Sequence, residues 1–162
     1  MPIKRRISPC LWFDGEAEEA ANFYVSIFKN SRITAVSRYG DAGPGPKGSV
    51  MVIGFELDGQ AFTGLNGGPM FKFTEAISMI VHVETQAEVD FYWEKLSTDG
   101  QAGRCAWLKD KFGVSWQIVP TALIELMQDK DAAKSARVMQ AMLQMTKIDI
   151  AGLQRAYDGK VE

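Results

Sequence analysis

The chain has 162 residues, 46% of them hydrophobic, and a formal net charge of −2 with a pI near 5.5. That is enough apolar material for one well-cored domain or for two small modules sharing a core. The slightly acidic balance argues against nucleic acid or an anionic membrane surface as a partner, and no apolar run approaches the ~18 residues that span a bilayer.

At the start of the chain, Lys4-Arg5-Arg6 reads as a solvated terminus. Without the charged, apolar and small-residue blocks of a signal peptide, a cytoplasmic protein is expected. Ile7 to Phe13 reads as a strand, and Asp14-Gly15 leads into an amphipathic helix that stops near Lys29-Asn30. On it Ala20, Phe23, Tyr24 and Ile27 share one face. Arg32 to Tyr39 and Val50 to Leu57 are strand-like. Between them Gly40 to Gly48 is a glycine- and proline-rich run that neither helix nor strand can absorb. It reads as an exposed hairpin loop, with a flexible lid over a cleft as the functional alternative. Asp58-Gly59 then turns the chain into a strand starting at Gln60-Ala61-Phe62.

The pattern then starts again. Ile77 to Val83 reads as a second opening strand, and a helix follows it. There Val89, Tyr92, Trp93 and Leu96 repeat the earlier apolar face 69 positions later. Thr85 and Glu88 compose a capping box at its start, and Asp99-Gly100 ends it. Phe112-Gly113-Val114-Ser115-Trp116 repeats the turn and strand at Asp58 to Phe62. The two units point to a pseudo-symmetric protein with its working cleft between the repeats. After Pro120, Thr121 to Met127 reads as a short helix, Asp131 to Met145 as a longer one and Asp149 to Tyr157 as a last turn or two. On the longer helix Ala136, Met139 and Leu143 share a face that Val138, Met142 and Met145 widen. Such a methionine-rich face is expected to be core or subunit contact.

Few side chains could carry chemistry. His82 is the only histidine and the only group expected to titrate near neutrality. Period-two alternation puts it with Ser78 and Ile80, as either a base or hydrogen-bonder in the cleft or a satisfied histidine at its rim. Cys10 shares a face with Ser8 and Trp12. It reads as a small buried apolar residue, and as a nucleophile only if a neighbour such as His82 lowered its pKa. Cys10 and Cys105 have no CxxC spacing and suggest neither a disulfide framework nor a zinc ribbon. Trp12, Trp93, Trp107 and Trp116 are expected to be mostly core, with one or two free to wall a pocket.

Several stretches together resemble the PhnB-like branch of the vicinal-oxygen-chelate superfamily. They are Ser8 to Ala20 with Phe23-Tyr24, Glu56 to Gln60, Leu65-Asn66-Gly67-Gly68-Pro69, Glu84-Thr85-Gln86 with Val89-Asp90 and Trp93, and above all Trp107 to Pro120. Val138 to Met145 and Lys147 to Ile150 extend the match into the tail. The resemblance implies an α+β fold of two βαβββ modules, cupped around a cleft and usually completed in a homodimer. Residues 1–72 would form the first module, 73–120 the second and 121–162 a helical C-terminal extension, together one domain.

Characterised members of the superfamily are implied to use a divalent metal held by His, Glu and sometimes Gln on four related strands. By motif those positions become Ser8, Ser78, a residue near Thr63 or Leu65, and Gln117. Hydroxyls and one amide are poor ligands for zinc, iron or nickel, so neither metal nor cofactor is expected. The branch often carries the label demethylubiquinone methyltransferase. Methyl transfer from S-adenosylmethionine usually needs a glycine-rich turn between strand and helix. The only candidate, Gly64 to Gly68, runs into Pro69 and no convincing helix. The expected function is therefore to bind a small organic molecule in a cleft lined by Ser8, Cys10, Trp12, Thr63, Leu65, Ser78, His82 and Gln117. A metal-dependent isomerase, lyase or dioxygenase is the alternative.

Overall fold

A computed structural model describes residues 6–160; Lys4 and Arg5 of the basic terminal cluster lie outside them, and Arg6 is exposed. The chain divides into two compact units, Met1–Phe73 and Thr74–Glu162. The first contains β1 (Cys10–Phe13), α1 (Ala17–Ile27), β2 (Arg32–Arg38), β3 (Val50–Leu57) and β4 (Gln60–Asn66). The second contains β5 (Met79–Val83), α2 (Gln86–Ser97), β6 (Gln101–Ala102), β7 (Trp107–Lys109) and β8 (Ser115–Pro120). It continues into α3 (Thr121–Met127), α4 (Ala132–Gln144) and α5 (Ile150–Tyr157). The strand orders are β1-β4-β3-β2 and β5-β8-β7-β6. In each sheet the opening strand runs parallel to the closing one, and the remaining pairs are antiparallel. Each unit is thus a βαβββ module, and the fold is α+β with a helical extension.

The ladders establish the internal repeat position by position. Cys10 pairs with Thr63 and Trp12 with Leu65, while Ile80 pairs with Gln117 and His82 with Val119. Thr63 and Gln117 therefore hold equivalent places, as do Trp12 and His82.

Alternation sends one side of each sheet to a helix and leaves a far face turned away from it. In the first unit Leu11, Phe13, Ile53, Phe55, Leu57 and Phe62 are buried, together with Ala17, Ala20, Ala21, Tyr24 and Ile27 of α1. Phe55 and Phe62 stack with ring centroids 5.4 Å apart. Burying an aromatic such as Phe55 contributes about 1.5–3 kcal/mol. In the second unit the buried set is Val83, Leu108, Trp116 and Ile118 with Val89 and Leu96 of α2. The capping box of α2 is present in full. In α1 the residue before the helix, Glu16, offers no side-chain cap. Instead Asn66 Oδ1 accepts from the Ala17 amide at 2.9 Å, tying the first turn to the end of β4.

Three expectations need correction. The opening strands begin at Cys10 and Met79, later than Ile7 and Ile77. Pro9 has no N–H for a ladder, although its carbonyl still accepts from Thr63 N at 3.0 Å. Ile77 would need a ladder partner lying before β8 begins at Ser115. Cys10 is exposed rather than a small core residue, because Leu11 and Phe13 take the helix side of β1. Of the four tryptophans only Trp116 is buried. The packed stripe is Val138 and Met142 of α4 with Met145 just after it, against Ala106, Leu123, Ile148 and Leu153. Met139 and Leu143 are left 38% and 47% exposed. The buried partners on α3 and α5 select which side of this two-sided apolar helix faces inward.

The glycine- and proline-rich run is a tethered hairpin connection. The Tyr39 and Ser49 ends pair through Tyr39 N to Ser49 O at 2.9 Å and Gly48 N to Tyr39 O at 2.8 Å. The Tyr39 ring packs against Gly43 and Gly45, and its hydroxyl donates to Asn66 O at 2.9 Å. The extension is attached to the second sheet by backbone bonds from Cys105 N to Met145 O and Ala106 N to Thr146 O. Gln86 of α2 adds a side-chain clamp, donating to Ile148 O and accepting from Ile150 N.

Candidate functional site

On the far face of the first sheet, Cys10 and Trp12 lie beside Thr63 and Leu65 on the neighbouring strand. Ser8 precedes the strand and is exposed. Trp12 is fixed at both ends. Its indole Nε1 donates to Gly68 O at 2.9 Å, and Phe71 meets its ring edge-on with centroids 4.9 Å apart. Gly67 lies directly on the indole, leaving no room for a Cβ. The glycine-rich segment thus closes β4 and shapes a wall for Trp12, and no helix follows it.

A cavity of about 500 Å³ lies beside this face, lined by Asp14, Glu18, Arg38, Tyr39, Asn66 and Gly67 among others. None of the eight residues expected to line the cleft contributes to it. Its charged groups are largely spent on one another, since Arg38 pairs with Glu18 at 3.1 Å and also donates to Gly48 O.

The far face of the second sheet brings two expected residues into direct contact. Gln117 Nε2 donates to Ser78 Oγ at 2.9 Å, and both side chains are half-buried. Ile80 lies beside Gln117 on β5, and His82 follows at the exposed end of the strand, opposite Val119. Val119 packs against the C-terminal helical cluster, so that end of the face is partly taken up by the extension.

Sequence reasoning missed the other half of this face. Trp107 pairs with Gln117 and Lys109 with Ser115, so all four share a side of the sheet. Trp107, Lys109 and Ser115 border a smaller cavity of about 140 Å³, together with Glu75 and Gln101. Lys109 Nζ meets Glu75 Oε1 at 2.6 Å, and this ammonium holds the Glu75 carboxyl below its ordinary range. The alternation Trp107, Lys109 was readable, but only the ladder shows that it faces Gln117. Asp110, next in the chain, points the other way. It is buried and accepts from Phe112 N, Val114 N and Trp116 Nε1.

The donors on these faces do not suit a transition metal. Among the described residues no three or more His, Cys, Asp or Glu side chains cluster in a ligating arrangement. Gln117 turns its N–H, a group with no affinity for a cation, to Ser78. Neutral hydroxyls and amides bind zinc, iron or manganese weakly compared with imidazole, thiolate or carboxylate.

The 3-demethylubiquinone-9 3-methyltransferase family model matches residues 5–119. A PhnB protein from Bacillus cereus, whose description carries the same methyltransferase designation, is 40% identical, with a TM-score of 0.67 over 72% of this chain and 100% of that one. A Pseudomonas aeruginosa protein, PA1353, shares the fold at 22% identity and a TM-score of 0.60, covering 72% of this chain and 98% of its own. So does the fosfomycin resistance protein FosX of Listeria monocytogenes, in a structure with Mn(II) and sulfate. It has 14% identity, a TM-score of 0.51, and coverage of 74% of this chain and 91% of that one. A comparison with proteins of curated function found no match. Two βαβββ units in register, a family match across both sheets and a full-length relative at 40% identity place the chain in the 3-demethylubiquinone-9 3-methyltransferase family, the PhnB-like branch of the vicinal-oxygen-chelate superfamily.

Proposed function

We propose that this protein binds a small organic molecule on the far face of its second sheet, without a catalytic metal. The observation that carries the reading is the Gln117–Ser78 hydrogen bond. It holds two neutral polar groups in fixed orientation between Ile80 and Trp107. A few oriented polar groups among apolar walls suit an organic ligand better than a cation. Methyl transfer is not part of the reading, because Gly64 to Gly68 closes a strand instead of opening a helix. Pairing of two copies is part of it, supported by the apolar Val36, Met139 and Leu143 left at the surface.

A thermal-shift screen of the purified protein should return a stabilising small molecule. Ser78→Trp should then abolish that shift while leaving the unliganded Tm within a few degrees. An unchanged shift in the variant would overturn the site. Elemental analysis tests the other half of the reading. A stoichiometric transition metal that disappears in Gln117→Ala would overturn the metal-free reading in favour of the alternative, a metal-dependent isomerase, lyase or dioxygenase.

A further inference from the structure

Ser115 is unusual in this molecule. It is 1% exposed, and among the described residues its Oγ is the one buried side-chain polar atom without a hydrogen-bond partner. Buried hydroxyls are nearly always paired, so an orphan that borders a cavity marks a place where something else supplies the bond. The cavity it lines holds about 140 Å³, room for one functional group and a few further atoms. Lys109, its ladder partner, brings an ammonium to the same cavity, and that ammonium is held by Glu75.

The Glu75 carboxylate is held by Lys109 and, beyond it, by a hydrogen bond from its own backbone. Glu75 sits on the connection before β5, and its side chain is 62% exposed, against 35% for Lys109. An ion pair this open contributes little to folding and exchanges readily. Chemically, Glu75 shows what Lys109 accepts. From Ser115 to Gln117 is one two-residue step along β8, roughly 7 Å, with Trp107 beside it.

We infer that Lys109 and Ser115 form a carboxylate anchor, so that the ligand of this face is a small organic acid and Glu75 is its built-in competitor. This deepens the binding reading and rests on it. The carboxylate displaces Glu75 from Lys109 and accepts from the Ser115 hydroxyl. The apolar body of the ligand lies along Trp107, and its far end reaches Gln117 and Ser78.

Benzoate, with neutral benzamide as the control, tests the anchor on the full-length protein by titration calorimetry or amide chemical shifts. Benzoate should bind at least severalfold more tightly than benzamide. Lys109→Gln should weaken benzoate about tenfold or more, and Ser115→Ala severalfold. Ser115→Ala should not lower the unliganded Tm, because it removes an unsatisfied buried group. Glu75→Gln should strengthen benzoate binding severalfold, an effect no merely structural role for Glu75 would give. Absence of benzoate binding, equal binding in Lys109→Gln, or weaker binding in Glu75→Gln would each overturn the anchor. Should Lys109→Gln unfold, the Glu75→Gln and Ser115→Ala results decide alone. Failure of the parent reading looks different: benzoate would bind through Lys109 and Ser115 yet be indifferent to Ser78→Trp. A neutral screening hit that Ser78→Trp abolishes, with no benzoate binding, would sink the anchor and spare the parent reading.

Discussion

The two units share one ladder and differ in how they fill it. Gly64 and Ile118 occupy equivalent places on the closing strands, paired with Leu11 and Val81. In the first unit the helix side is aromatic, with Phe13, Tyr24, Phe55 and Phe62, and Gly64 makes room for it. A Cβ there would come within 2.9 Å of Ile53 Cγ2 and 3.3 Å of the Ala17 methyl group. In the second unit the layer is largely aliphatic, and Ile118, fully buried, fills the same place itself. Identical topology therefore tolerates opposite solutions to packing, provided the summed volume fits.

The sharpest way to break this comparison is to exchange the two solutions. Ile118→Ala should cost about 2–5 kcal/mol by leaving a cavity. Gly64→Ala should cost about 1–3 kcal/mol by overpacking against Ile53. Urea unfolding measures both, and a neutral Gly64→Ala would mean that the aromatic layer has slack.

The turns before the closing strands offer a second, smaller contrast. In the first unit two residues suffice, Asp58 and Gly59, both with positive φ as a type I′ hairpin requires. In the second a longer turn is organised by Asp110, whose carboxylate accepts two backbone amides and the Trp116 indole. Asp110→Ala strands buried donors and should cost about 2–3 kcal/mol. Gly59→Ala only forces a methyl group into a left-handed conformation and should cost roughly 1 kcal/mol. The order of the two melting temperatures checks this.

The smallest expected effect concerns the helical extension, which the first unit lacks. Tyr157 Oη donates to Asp129 at 2.6 Å, which lowers the Asp129 pKa and raises that of Tyr157. Stability from the depressed carboxyl is present above its ordinary range and lost as pH falls through its folded pKa. Stability from the raised phenol is present below the ordinary tyrosine range and lost as pH rises through its folded pKa. Hydrogen exchange should show α4 and α5 loosening at both extremes while the first unit holds. Tyr157→Phe should abolish the alkaline loss, and its persistence would assign that loss elsewhere.

Much of the fold was legible because local physics dictates it. Val50 to Leu57 and Thr121 to Met127 form elements with the bounds their patterns imply, and Thr85 caps α2 through Glu88. The opening strands were overextended because a strand's end depends on a partner elsewhere in the chain. The site was half legible. Ser78 and Gln117 were implied by the family resemblance, through motif, whereas Lys109 and Ser115 look like ordinary turn-flanking residues until the ladder sets them on one face with Gln117.

By itself, then, the sequence determined most of the elements and their twofold repetition, because periodicity and capping are local properties. Tertiary structure alone decided that Cys10 faces outward, that Val138 and not Met139 enters the core, and that Ser115 is buried with no partner. Each of these depends on what lies opposite, and neighbours distant in sequence become neighbours only once the sheets are assembled.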